Sequence, residues 1–178
     1  MSGRIFLWLL PSASVQDRFA TLIDTLSRRH GTPRFAPHIT LTGSLDSPAD
    51  EISLRTSDLA ARLRPVPVQL TEVGWSDEYF RCLFIRAAAS PELLAAHRTA
   101  CAHLGRSPDT DFMPHLSLIY GNLSQDQKDR IVDEIGRRFD IGFDADRVGL
   151  CLAAGSPEQW RLIRTFALAG RRAQDISP

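Results

Sequence analysis

Two short segments of this 178-residue chain carry the residue types that move protons and hold phosphates. Phe35-Ala36-Pro37-His38-Ile39-Thr40-Leu41 aligns with Phe112-Met113-Pro114-His115-Leu116-Ser117-Leu118. Four positions are identical, two are conservative, and the histidines lie 77 residues apart. Polar and apolar residues alternate in each copy, the period of a strand with one polar face. In a strand, residues i and i+2 share a face about 7 Å apart. His38 and Thr40 therefore point one way with Ile39 and Leu41 behind them, and His115 and Ser117 do the same over Leu116 and Leu118. If a pseudo-twofold axis relates the copies, two imidazoles and two hydroxyls line one cleft.

That set fits the opening of a cyclic phosphodiester. In-line displacement at phosphorus needs a base on the incoming water and an acid on the departing oxygen, on opposite sides. Histidine serves either role because its ordinary pKa is about 6.5. The hydroxyls of Thr40 and Ser117 can donate to the non-bridging oxygens, where negative charge sits in the transition state. Nothing in this scheme requires a metal, and no metal or other cofactor is expected. A lone His-x-Thr on a strand is ordinarily a partly buried histidine; the duplicated frame is what favours chemistry.

The elements around the two segments repeat as well. Ile5 to Leu10 is an apolar run ended by Pro11, consistent with a buried strand. A helix follows, capped by Ser14, with a stripe of Val15, Phe19, Leu22, Ile23 and Leu26 and a stop at Gly31. After the first histidine strand, Ser47-Pro48 opens a second helix carrying Ile52, Leu59 and Leu63. Val66 to Val73 and Tyr79 to Ala87 read as strands. Ser90-Pro91-Glu92 caps a third helix through His97, Cys101 and Leu104. Beyond the second histidine strand, Ser124 and Gln127 form a capping box for a helix through Ile131, Ile135 and Phe139. Arg147 to Ala153 and Trp160 to Leu168 close the chain as strands. The expected fold is α+β and bilobal: two pseudo-symmetric, interleaved lobes, each an antiparallel sheet packed with helices, around a central cleft. Residues 1–178 are read as a single domain.

Composition narrows the partners. Lysine plus arginine, 21, balances aspartate plus glutamate, 21. A protein that tracks long nucleic acid usually carries a basic excess, so a small substrate or a locally positive cleft is expected. Cys82, Cys101 and Cys151 are odd in number and widely spaced, which suggests reduced thiols in a cytoplasmic protein rather than a disulfide framework or zinc ribbon. Six apolar residues after Arg4 fall short of a secretory signal, and no run reaches the length of a membrane span. A soluble monomer without membrane or long nucleic-acid partners is expected.

The duplicated His-x-[Thr/Ser] pattern resembles the two-histidine phosphoesterase superfamily, and within it the plant and yeast type of cyclic phosphodiesterase. The likeness is carried by Trp8-Leu9-Leu10-Pro11, Pro33-Arg34-Phe35-Ala36-Pro37-His38-Ile39-Thr40, Tyr79-Phe80-Arg81-Cys82-Leu83-Phe84, Met113-Pro114-His115-Leu116-Ser117-Leu118-Ile119-Tyr120 and Leu150-Cys151. It implies hydrolysis of ADP-ribose 1″,2″-cyclic phosphate, a by-product of tRNA splicing, to ADP-ribose 1″-phosphate. Hydrolysis of nucleoside 2′,3′-cyclic phosphates to 2′-phosphates is implied too. Carried over by position, His38 and His115 are the acid–base pair, Thr40 and Ser117 hold the phosphate, and Tyr120 and Trp8 line the substrate pocket. The cysteine pairs that some plant members carry are absent, so redox control is not implied.

Two rival readings compete with it: an enzyme acting on 2′,3′-cyclic ends of RNA or tRNA halves, and a non-catalytic nucleotide sensor. The intact motif residues disfavour the sensor. Tyr120 has the wrong strand parity for the cleft and reaches it only if the strand ends or bulges before it. Trp8 is either core or a stacking platform for a base. His97, Cys101 and His103 do not converge as metal ligands should.

Overall fold

The computed structural model describes residues 3–169. Among them, eight strands form one antiparallel sheet in the order β6-β3-β4-β5-β2-β1-β7-β8. These are β1 Arg4–Leu10, β2 Ile39–Leu45, β3 Val66–Trp75, β4 Leu83–Ala87, β5 His115–Ile119, β6 Arg138–Ala145, β7 Arg147–Ala153 and β8 Arg161–Ala167. The helices are α1 Ala13–His30, α2 Ala49–Arg62, α3 Pro91–His103 and α4 Gln125–Ile135.

The sheet falls into two four-stranded halves that meet where β2 lies beside β5. Their contact is slight, with Ile39 opposite Leu116 as the single paired position among the described residues. Since these residues sit between the histidine and the hydroxyl of each motif, the junction of the halves is where the two polar faces come together. The halves of the sheet are not the halves of the chain. The chain builds β1 and β2 in one lobe, β3 to β6 in the other, and returns for β7 and β8, so the lobes interleave.

One face of the sheet is covered by helices, and the core lies between. Leu7, Leu9, Phe19, Ile23, Leu41, Leu59, Leu93, Leu116, Leu118 and Leu150 are all fully buried. Each such side chain contributes roughly 1.5–3 kcal/mol on leaving water. Ile39 and Leu41 go under this layer as the period-two pattern required, leaving His38 and Thr40 on the opposite face.

Helix ends follow local chemistry. Gly31 closes α1 in the left-handed conformation, with φ 63°, and its amide bonds to Ser27 O. Ser90 accepts from Leu93 N ahead of Pro91, and Ser124 with Gln127 makes the reciprocal capping box of α4. Three expectations need correction. The first helix begins at Ala13 behind Ser12, without a side-chain cap. The segment expected to be a strand from Tyr79 starts with a single 3-10 turn, Tyr79–Arg81, before β4. Finally, Phe139 is not on α4: Gly136 ends that helix with φ 89°, a value at which an L side chain is strained, and Arg138–Ala145 is a strand. Phe139, Ile141 and Phe143 alternate there with polar residues.

Candidate active site

His38 and His115 are positioned by the same device. Each precedes or opens its strand, directly after a proline that cannot donate a ladder hydrogen bond. His38 Nδ1 bonds to Ala36 O at 2.7 Å, and His115 Nδ1 bonds to Met113 O at 2.8 Å. A carbonyl only accepts, so Nδ1 carries the hydrogen in both rings and Nε2 is left as the working nitrogen. The two i−2 contacts are the duplication made visible in three dimensions.

Each ring also rests on an aromatic residue from the neighbouring strand. In β1, Trp8 lies opposite Thr40 of β2 and stacks on His38, with ring centroids 3.6 Å apart and planes 10° apart. In β4, Phe84 lies opposite Ser117 of β5, with its ring 5.0 Å from His115. Phe84 fits there because β3 has glycine beside it. A Cβ on Gly74 would lie 2.6 Å from the Phe84 ring.

A cavity of about 500 Å³ is lined by His38, Thr40, His115, Ser117, Trp8 and Tyr120, the six residues singled out from the sequence. Tyr120 reaches it because β5 ends at Ile119, so strand parity no longer binds the next residue. Its hydroxyl lies 3.4 Å from His38 Nε2, linking the two lobes. Trp8 is almost wholly buried and supports the His38 ring while forming part of the cavity wall.

Electrostatics differ between the imidazoles. Burial is the main reason that the pKa of His38 is pushed down to about 4. Its bond to Ala36 O opposes that shift, and the charge of His115 adds to it. His115 is less buried; its pKa is lowered as well, first by burial, with Arg81 and Arg86 adding to the effect and Met113 O and Glu78 opposing it. Burial also pushes the Tyr120 phenol far up, which keeps it a hydrogen-bond donor. The cavity rim holds the cations Arg4 and Arg81 against one carboxylate, Glu78. A chain with no net charge thus has a locally positive opening.

Phe80 and Trp160 are lining residues that the sequence reading misses. Phe80 sits on the 3-10 turn between β3 and β4, and Trp160 follows the matching turn, Pro157–Gln159, between β7 and β8. The rings meet over the cavity with centroids 5.6 Å apart, and each also approaches Tyr120. The signal is present in the sequence. Both aromatics fall at hairpin tips in corresponding places of the duplicated plan, although the sequence pattern alone puts them in strands.

His97 is a core histidine. Its Nδ1 donates to Leu41 O at 2.7 Å, and its Nε2 accepts from Asp109 N at 3.2 Å, so both nitrogens are satisfied. Phe112 stacks on it at 3.8 Å. Among the described residues, no group of three or more His, Cys, Asp or Glu side chains is placed to hold a metal. Cys82, Cys101 and Cys151 are buried and unpaired. No helix among the described residues is long and apolar enough to cross a membrane.

Residues 11–156, covering both histidine strands and the helices between them, match the family model described as the 2′-5′ RNA ligase superfamily. The chain belongs to that superfamily. The resemblance to two-histidine phosphoesterases is thereby borne out at the family level. A cyclic phosphodiesterase of Arabidopsis thaliana is 28% identical over 149 residues, covering 82% of each chain. Solved superfamily-like folds overlay along nearly the full length. The protein TT0787 of Thermus thermophilus has a TM-score of 0.68 at 18% identity, covering 95% of this chain and all of its own. Apo LigT of E. coli has a TM-score of 0.61 at 18% identity, covering 93% and 96% respectively. These neighbours establish the α+β, two-lobed superfamily fold.

Proposed function

We propose that this chain is a metal-independent cyclic phosphodiesterase acting on small cyclic nucleotides. The substrates we assign are ADP-ribose 1″,2″-cyclic phosphate, opened to ADP-ribose 1″-phosphate, and nucleoside 2′,3′-cyclic phosphates, opened to 2′-phosphates. One observation carries the reading. Two imidazoles from the two lobes share one cavity, each with Nδ1 tied to a carbonyl, leaving Nε2 to work, and a hydroxyl two residues on.

In the reaction, one Nε2 takes a proton from water as its oxygen attacks phosphorus. The other Nε2 delivers a proton to the ester oxygen as its bond to phosphorus breaks. The products are a phosphomonoester and a free hydroxyl, and the pair ends with its protons exchanged. Thr40 and Ser117 donate to the non-bridging oxygens, while Arg4 and Arg81 draw the anion to the opening. His38, His115, Thr40 and Ser117 together supply the proton transfers and hydrogen bonds that hydrolysis requires. The name of the Arabidopsis relative supports the same reaction class.

The competing reading, hydrolysis at RNA ends, draws on the superfamily's description. The balance of 21 basic against 21 acidic residues disfavours it, since a protein that tracks a long RNA chain usually carries a basic excess. A product-resolved assay tests the proposal. ADP-ribose 1″,2″-cyclic phosphate, the four 2′,3′-cyclic mononucleotides and a cyclic-ended oligonucleotide are compared, with and without chelator. Turnover of the small substrates that survives chelation is expected. Turnover of the oligonucleotide alone, or activity lost to chelator, would overturn it.

A further inference from the structure

Lys128 is the only lysine in the chain, and it occupies a position that suits a cation poorly. It lies in the first turn of α4, where the helix dipole favours anions, and its side chain is 2% exposed. Lysine is almost never so buried unless its charge is paired. Both of its side-chain hydrogen bonds among the described residues go to the segment joining β3 to β4. Nζ donates to Ser76 O and to Asp77 Oδ1, each at 2.8 Å. This contact holds the Asp77 carboxyl below its usual pKa, although Asp77 itself is fully exposed. The cost of burying the amine is thus offset by partners on one loop tip.

That tip carries part of the catalytic cavity. Within it, Ser76 Oγ donates to Arg81 O at 2.9 Å and accepts from Glu78 N at 3.2 Å, so residues 76–81 hold together as a unit. Glu78, Phe80 and Arg81 of this unit line the cavity, and Arg81 is near enough to His115 for its charge to act on that ring. Gly121 N adds a second tie to the body by donating to Tyr79 O at 2.9 Å. The corresponding tip between β7 and β8 is fastened by no buried charge among the described residues. Its Ser156–Gln159 capping box is internal, and the exposed Glu158 joins it to the first motif by accepting from Arg34 N at 3.3 Å. One wall of the cavity mouth is therefore secured by a buried amine and the other is not.

We propose that Lys128 is a positioning residue for substrate capture: its amine fixes the β3–β4 tip so that Phe80 and Arg81 stand over the cavity when a small cyclic phosphodiester arrives. The inference rests on the cyclic phosphodiesterase reading. Lys128 lies outside the cavity lining and acts through the tip alone. Phe80 offers a ring face and Arg81 a guanidinium. A freed tip weakens the binding of substrate and transition state alike, and leaves proton transfer by His38 and His115 as it was.

Lys128→Met keeps the length of the stem and removes the donors; replacing a buried charge by an apolar group of similar volume is often neutral for folding. With a 2′,3′-cyclic nucleotide, the variant should show a KM about ten-fold higher, at a kcat within about two-fold of wild type. In a Phe80→Ala/Arg81→Gln background the same substitution should change KM by less than about two-fold, since its route is already cut. Should Lys128→Met fail to fold, the wild type decides through acetylation of its one lysine, followed at the peptide level. Acetic anhydride should modify Lys128 about ten-fold more slowly in adenosine 2′-phosphate at about ten times its inhibition constant, because the bound product holds the tip down. If wild type does not hydrolyse the cyclic nucleotide, the underlying reading falls, and this inference with it. If it does, any of three results would overturn the inference alone. These are an unchanged KM in Lys128→Met, a KM rise that persists in the Phe80→Ala/Arg81→Gln background, and acetylation indifferent to the product.

Discussion

Acidification should unfold this protein partly through His38. The pKa of this imidazole is about 4 in the folded chain, against an ordinary value of 6.5, because burial under Trp8 disfavours its charged form. Between those two pH values the unfolded chain binds a proton at this position that the folded chain refuses. Stability therefore rises with pH across the window and is lost as pH falls through it. At 1.36 kcal/mol per pH unit, the loss is about 2 kcal/mol by pH 5 and about 3 kcal/mol by pH 4. His115, lowered in the same direction, adds to the slope. Denaturant titrations of wild type and His38→Gln at pH 8, 6.5 and 5 measure it. Any constant offset from the lost packing cancels when slopes are compared. Wild type should lose about 2 kcal/mol more than the variant between pH 8 and 5. Parallel pH dependences would refute the claim that this ring is held neutral by burial.

Further outcomes follow from the same geometry. Tyr120→Phe removes the hydroxyl that lies against His38 Nε2, so the neutral ring loses a donor and its pKa should rise; an NMR titration of His38 unchanged by the substitution would contradict this. Gly74→Ala drives a methyl into the Phe84 ring beneath His115 and should cost about 1–3 kcal/mol in denaturation, whereas an unaltered midpoint would show that β3 yields freely. Because both imidazoles are lowered, the bell-shaped profile of kcat/KM should be centred on the acid side of pH 6.5 rather than at neutrality; a plateau persisting through pH 8 would argue against the pair.

Much of the site is legible in the sequence because its geometry is local. Period-two alternation alone decides which face of a strand His38 and Thr40 occupy, and the second copy repeats the answer for His115 and Ser117. Capping chemistry marks the starts of α3 and α4 for the same reason. What cannot be read depends on partners distant in the chain. That Trp8 lies under His38 follows from the register of β1 against β2, with Trp8 opposite Thr40. That Tyr120 enters the cavity follows from where β5 ends. The strand β6 escapes the sequence reading although Phe139, Ile141 and Phe143 alternate plainly, because the helical stripe of α4 runs on in phase to Phe139 and only Gly136 interrupts it. Phe80 and Trp160 lie at hairpin tips that read as strands; the strands begin four residues later than Tyr79 and one later than Trp160, which relocates each side chain from sheet to cavity rim.

The two-imidazole claim is tested most directly by following hydrolysis of a 2′,3′-cyclic nucleotide by wild type, His38→Ala, His115→Ala and the double variant, each checked for retained fold. Both single substitutions should reduce kcat by several orders of magnitude, and the double should be little worse than either, since the residues act as one unit. A double variant that still turns over substrate near the wild-type rate would contradict the account.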